Sequence, residues 1–129
     1  MAAEQHVAVE WIETDVTSFA PAAGAFQLVI IAYLHLPEPS RRTVLAHAAS
    51  ALGPGGTLFM IGHARLNLTQ GVGGPQRSEL LWEPSQIRGE ITALGLAVQR
   101  AEHVHRPVET AEGVRNAIDT LVRAERATG

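Results

Sequence analysis

The sequence contains no cysteine, and this absence excludes disulfide bonds, thiolate catalysis and cysteine-based zinc sites. It also contains no lysine, so the phosphate-binding lysine of a P-loop is absent. No apolar run approaches the roughly 18 residues of a membrane span, and no basic segment precedes an apolar one at the start. With a net charge of -3, the chain has no general attraction for nucleic acid or an anionic membrane. We therefore expect a cytoplasmic protein that binds neither.

Charge is also scarce, because charged residues make up only 18% of the 129 residues while hydrophobic residues make up 46%. Such a chain has enough apolar surface to fold, which excludes intrinsic disorder. Its length predicts one domain with one sizeable core.

The clearest local unit lies in the centre of the chain. Residues 26–33 form a continuous apolar run, which predicts a strand buried on both faces, as in a parallel sheet. Pro37 marks the start of a helix, and Gly53 is typical of a left-handed cap that ends one. Residues 57–62 then predict a second strand. Strand, helix and strand in this order form a right-handed βαβ unit.

The flanking segments complete the predicted sheet. Residues 7–12 predict a short strand, and residues 65–82 predict a long irregular loop of the kind that serves as a lid or binding loop. Residues 84–94 predict a helix and residues 96–104 a strand. Residues 114–124 fit either a helix or a strand.

These elements indicate a short, doubly wound α/β sheet. In such sheets, ligands bind beyond the carboxyl ends of the strands. Those ends are predicted at residues 13–18, 32–36 and 62–66, so the functional residues are expected there.

Polar side chains occur at each of these strand ends. Tyr33, His35 and His63 follow two adjacent predicted strands, and a histidine there can act as a general base or make a local hydrogen bond. Asp15 can accept from a ligand amine or hydroxyl, or can close a turn. Asp15 and the two histidines could supply some metal ligands, but no tight ligand motif is present, so we expect no metal site.

The order of these motifs resembles that of class I S-adenosylmethionine (SAM)-dependent methyltransferases, and most closely their tellurite-resistance-like branch. The resemblance rests on residues 9–16, 26–36 and 51–58, and residues 62–68 and 106–110 also fit. It implies a partial Rossmann-like α/β sheet with flanking helices, in a single domain over residues 1–129. It also implies SAM as cofactor and a small-molecule methyl acceptor.

By the same resemblance, four residues belong to the cofactor site. Asp15 and Val16 would border the adenine, and Ala32 and Tyr33 would line the methionine part.

The resemblance also assigns the acceptor side and the last element. It places His35 near the substrate, so His35 or His63 would be the catalytic base for an acceptor that carries a proton. It also makes residues 118–125 an antiparallel strand rather than a helix.

The first βαβ unit of the family, with its Gly-x-Gly loop, has no counterpart in the sequence. We therefore expect a truncated methyltransferase-like domain with impaired cofactor binding. Residues 28–32 would then form an unprotected sheet edge, and such an edge favours a homodimer. Exchange of a strand between the two copies is one way to form that dimer. The alternative is a non-catalytic dimeric scaffold or binding remnant of the same fold. A nicotinamide-dependent fold is disfavoured, because its phosphate-binding fingerprint is absent.

Overall fold

A computed structural model describes residues 7–128, and this part of the chain is an α/β structure. Its elements are, in chain order, β1 (Phe26–Ala32), α1 (Glu38–Ala51), β2 (Leu52–His63), α2 (Asn67–Gln70), a 3-10 turn (Ser78–Leu80), α3 (Pro84–Thr92), β3 (Ala97–Thr110) and β4 (Gly113–Glu125).

The four strands form one mixed sheet in the order β1-β2-β4-β3. β1 and β2 are parallel and are joined through α1, which confirms the predicted βαβ unit. β4 runs antiparallel to both of its neighbours, so the segment that was ambiguous by pattern is a strand. The predicted Rossmann-like α/β sheet with flanking helices is therefore confirmed.

Both long helices cover the same face of the sheet. Leu45 of α1 and Ile91 of α3 belong to one buried cluster with Leu58 and Met60 of β2. The described residues thus form two layers, rather than the three layers of the doubly wound sheet predicted from the strand pattern. Because side chains alternate along a strand, the opposite face carries other residues. These are Leu28, Ile30, Phe59, Ile61 and Leu121.

β1 lies at the edge of the sheet, and its burial differs from the prediction. Ile31 is its one buried residue, whereas Leu28 and Ile30 are 54% and 59% exposed. The expected burial on both faces is wrong, because no second helix layer covers this strand in residues 7–128. The expectation of an unprotected apolar edge is confirmed, since β2 is the one strand that pairs with β1 in the described sheet.

Residues 7–12 form no strand, so that prediction is wrong. The segment has the composition of a strand and lines a groove together with β1, but it does not pair with the free edge of that strand. Residues 65–82 are less irregular than predicted, because they contain α2 and the 3-10 turn.

The end of α1 also differs from the prediction. Leu52 is already extended, and Gly53 does not adopt the left-handed conformation. Glycine is needed at position 53 for another reason, since a Cβ there would lie 2.9 Å from the carbonyl oxygen of Gly24. The left-handed residue is Gly55, at φ 76.

Candidate active site

A cluster of polar side chains lies where β1 and β2 end. We call it the polar cluster, and its members are Tyr33, His35, His63, Arg106 and Asp119. The β2–β4 ladder places His63 directly opposite Asp119. The β3–β4 ladder places Val104 opposite Asp119, so Arg106, two residues along β3, lies on the same face.

Asp119 is the centre of the polar cluster and is only 1% exposed. Its Oδ2 accepts a hydrogen bond from the Tyr33 hydroxyl at 2.7 Å and one from Arg106 Nε at 3.1 Å. A buried carboxylate needs such donors, because unpaired burial of its charge is costly. The hydrogen bond and charge of Asp119 raise the pKa of the Arg106 guanidinium, which stays protonated.

His63 faces the other oxygen of the same carboxylate. Its Nδ1 lies 3.5 Å from Asp119 Oδ1, and neither of these buried atoms has a hydrogen-bond partner in residues 7–128. The negative charge of Asp119 beside Nδ1 favours a proton on that nitrogen. The His63 side chain is 18% exposed, and its Nε2 makes no hydrogen bond with the described residues. This arrangement leaves Nε2 as the nitrogen that can accept a proton from a ligand.

His35 has both ring nitrogens engaged. The backbone N–H of His63 donates to His35 Nε2 at 3.3 Å, so Nε2 is unprotonated in this arrangement. Nδ1 then carries the proton and donates to the carbonyl oxygen of Leu80 at 3.0 Å. Burial lowers the pKa of His35, and the nearby His63 lowers it further. His35 is thus held neutral, and its ring stacks on that of His63 at 5.1 Å.

Tyr33 adopts a backbone conformation that is unusual for a residue with a side chain, at φ 55. Its ring lies 5.1 Å from that of His63, and the guanidinium of Arg106 lies over it at 5.8 Å. Burial raises the pKa of the Tyr33 hydroxyl, and the hydrogen bond to Asp119 adds to this effect. The hydroxyl is therefore a donor at neutral pH.

Where the chain leaves β1, a groove lies on the side opposite the polar cluster. Ala32 and Leu34 line it, whereas Tyr33 and His35, which alternate with them, belong to the polar cluster. Val16 faces the same groove, which has a volume of about 380 Å³. Two of the four predicted cofactor residues, Val16 and Ala32, are therefore brought together.

Asp15, like Tyr33, is a predicted cofactor residue that lies outside this groove. It is exposed, and its Oδ1 accepts from the backbone N–H of Thr17 at 2.9 Å and from the Thr17 hydroxyl at 2.7 Å. These hydrogen bonds lower the pKa of Asp15. The side chain is thus engaged in a local turn.

Sequence reasoning did not identify Asp119 or Arg106 as site residues. A signal was present for Asp119, one of two aspartates in the chain, because it interrupts an apolar strand. A charged residue inside such a strand needs a partner. Arg106 has no comparable signal, since it lies in an alternating, largely exposed strand.

Residues 7–128 contain no group of three or more His, Cys, Asp or Glu side chains arranged to hold a metal ion. No helix within the described residues is long and apolar enough to cross a membrane.

The mixed sheet and the site at its strand ends define a Rossmann-like α/β protein. No protein-family model matches the sequence, and no curated protein sequence matches it significantly. Solved structures with the same fold include SAM-dependent methyltransferases and also a cyclase, SpnF. One of the methyltransferases is from Methanosarcina mazei, with a TM-score of 0.61 and 11% identity over 90% of this chain and 66% of that chain. The YcgJ protein from Bacillus subtilis has a TM-score of 0.70 and 13% identity over 99% of this chain and 76% of that chain.

A third similar structure is the N-methyltransferase NodS from Bradyrhizobium japonicum. Its TM-score is 0.61, with 20% identity over 91% of this chain and 59% of NodS. NodS has also been solved in complex with S-adenosylhomocysteine. This chain therefore has the fold of SAM-dependent methyltransferases and spans 59–66% of the length of two of these neighbours.

The described residues fit one end of SAM. The groove beside Val16 and Ala32 is almost wholly apolar, which suits a flat adenine ring. His47 contributes the one polar side chain of its lining. The ribose hydroxyls and the charged methionine end need acidic and basic partners, and the groove supplies neither.

Proposed function

We propose that this chain contributes to SAM-dependent methyl transfer to a small-molecule acceptor. Its groove would contact the adenine of SAM, and its polar cluster would accept a proton from the substrate. The single observation that carries this proposal is the alternation after β1. Ala32 and Leu34 line the apolar groove, while Tyr33 and His35 belong to the polar cluster around Asp119. A cofactor surface and a base are thus adjacent.

SAM, when bound, supplies an electrophilic methyl group. The contribution of the protein is then to position the acceptor and to take up its proton. We assign the proton uptake to His63 Nε2, with the Asp119 carboxylate 3.5 Å from Nδ1 as the nearby negative charge. Tyr33 and Arg106 hold the carboxylate in place. His35 has no nitrogen available, so its role is to position His63 through the backbone N–H.

We expect the chain by itself to bind SAM weakly. The groove offers contacts to the adenine, whereas each hydrogen bond that is missing at the other end is worth about 0.5–1.5 kcal/mol. A dissociation constant in the millimolar range, equivalent to about -4 kcal/mol, is the expected consequence.

We further propose that the chain forms a homodimer through the β1 edge. Among residues 7–128, the exposed large hydrophobic residues all lie between positions 7 and 33, with the single exception of Val114. An edge strand with exposed apolar side chains is a template for association. Residues 7–12, which have strand composition without a partner strand, could pair with this edge in a second copy.

Calorimetric titration of S-adenosylhomocysteine tests the cofactor surface. The wild-type chain should give weak, saturable heat. Ala32→Phe, which fills the groove, should abolish that heat, and Ala46→Phe, on the exposed side of α1, should not. Heat that survives in Ala32→Phe would contradict the assignment of the groove.

A non-catalytic dimeric scaffold is the second candidate function. It is favoured by the lack of acidic and basic side chains in the groove. A folded dimer that gives no heat with S-adenosylhomocysteine would support the scaffold and exclude the methyltransferase role for the chain alone.

A further inference from the structure

The loop of residues 71–74 approaches the ring of His63 very closely. A Cβ on Gly74 would lie 3.0 Å from His63 Nδ1, 3.1 Å from Cγ and 3.2 Å from Cε1. Side chains rarely tolerate such contacts, so Gly74 packs against the Nδ1 edge of the ring. The same edge faces Asp119, and Nδ1 is inaccessible to solvent.

Asn67 anchors this loop and is only 3% exposed. Its Nδ2 donates to the carbonyl oxygens of Val72 at 3.2 Å and Gly73 at 2.9 Å. Its Oδ1 accepts from the backbone N–H of Ile118 at 2.8 Å. Ile118 precedes Asp119 in β4. One buried amide therefore fixes both the loop that covers His63 and the strand that carries its carboxylate partner.

We propose that the Asn67-anchored loop selects the neutral tautomer of His63, with Gly74 as the positioning residue. Gly74 keeps water away from Nδ1, which leaves the Asp119 carboxylate at 3.5 Å as the charge beside it and favours a proton on Nδ1. Nε2 is then the unprotonated nitrogen and faces the acceptor. This inference rests on the proposed function only in naming His63 as the base. Its structural part stands on the loop and the carboxylate alone.

Gly73 provides a matched control for Gly74. The two residues have nearly the same left-handed backbone, at φ 72 and φ 75, so alanine strains both alike. A Cβ on Gly73 would meet no atom within 4 Å, whereas a Cβ on Gly74 would meet the His63 ring. A difference between Gly74→Ala and Gly73→Ala therefore reports the contact with His63 and not the backbone strain.

The test is nuclear magnetic resonance of the 15N-histidine-labelled chain, without cofactor or acceptor. His63→Gln assigns the His63 signals. In the wild type and in Gly73→Ala we expect one neutral tautomer of His63, with the proton on Nδ1. In Gly74→Ala we expect this single pattern to be lost and the two ring nitrogen shifts to move towards each other. A wild-type tautomer with the proton on Nε2, or identical spectra for both variants, would overturn the proposal.

A second measurement needs no variant and remains decisive if Gly74→Ala does not fold. The wild type should show a strong nuclear Overhauser effect between the α-protons of Gly74 and Hε1 of His63, because Cε1 lies beside that position. Its absence would overturn the inference. Both measurements are independent of catalysis, so a failure of methyl transfer would refute the proposed function and leave this result intact.

Discussion

The hydroxyl of Tyr33 donates to Asp119 across 2.7 Å, although the two residues are 86 positions apart in the chain. This bond joins the end of β1 to β4, which is not its neighbour in the sheet. It also holds Tyr33 in a left-handed conformation that its side chain disfavours. Strain at a strand end, held by a buried carboxylate, is typical of functional sites.

Removing the hydroxyl should lower stability. In Tyr33→Phe, Asp119 loses one donor and keeps Arg106. We expect a loss of about 1 kcal/mol in the free energy of unfolding at neutral pH. Urea denaturation measures it. An unchanged midpoint would mean that the hydrogen bond adds nothing to the fold.

The hydrogen bond between Tyr33 and Asp119 also predicts a loss of stability at alkaline pH. Burial and Asp119 raise the folded-state pKa of Tyr33 above the ordinary value of 10.0. The contribution of the hydroxyl to stability is therefore fully present below pH 10 and is lost as pH rises through the folded-state pKa. The midpoints of wild type and Tyr33→Phe should converge at high pH.

The lowered pKa of His35 predicts that the fold loses stability in acid. Burial lowers its folded-state pKa below 6.5, so the unfolded chain binds the proton more readily. Stability should be fully present above pH 6.5 and should fall as pH drops through the folded-state pKa. In His35→Gln this part of the fall should be absent, as judged from urea midpoints across the acid range. His103→Gln, at an exposed position on β3, should keep the wild-type slope.

Much of this fold was predictable, because the information is local. The apolar run of β1 and the proline near the start of α1 predict those elements directly. The polar cluster was predictable only in part, because the strand ends point to Tyr33, His35 and His63 but not to their carboxylate partner. His63 meets Asp119 through the register of β2 on β4, and no local pattern encodes that register. Residues 7–12 show the converse, because their strand pattern forms no strand in the described structure although the edge of β1 is free.

A buried ion pair joins the two long helices. Arg41 Nε donates to Glu90 Oε1 at 2.8 Å, and Nη2 donates to Oε2 at 2.5 Å. Both side chains are about 5% exposed. Glu90→Gln leaves the Arg41 charge buried without its counter-ion, so we expect a loss of about 3–5 kcal/mol in urea denaturation.

The matched control removes both charges. Arg41→Met combined with Glu90→Leu should recover most of the lost stability, since apolar replacements of such pairs are often neutral. If the double variant is no more stable than Glu90→Gln, the unpaired charge of Arg41 is not the cause of the loss.

Gly62 and Gly89 should respond to alanine in opposite directions. A Cβ on Gly62 would lie 2.7 Å from Cζ3 of Trp82, a ring that is 1% exposed and cannot move freely. Gly62→Ala should therefore cost about 1–3 kcal/mol. Gly89 lies in α3 with open space around its Cβ position, so Gly89→Ala should gain about 0.5–1 kcal/mol. Thermal denaturation of both variants measures the contrast, and a stabilised Gly62→Ala would contradict the packing described for Trp82.

The dimer hypothesis is tested on the β1 edge. Ile30 is 59% exposed on this strand, and Val114, at 66%, is the exposed large hydrophobic residue that lies outside positions 7–33 in the described chain. A lysine on the edge strand disfavours strand pairing between copies, because its charge would have to be buried. Sedimentation at micromolar concentration should therefore find a dimer for the wild type and for Val114→Lys, and a monomer for Ile30→Lys. A monomeric wild type, or a dimer that persists in Ile30→Lys, would exclude association through β1. The exposed edge would then need a different partner.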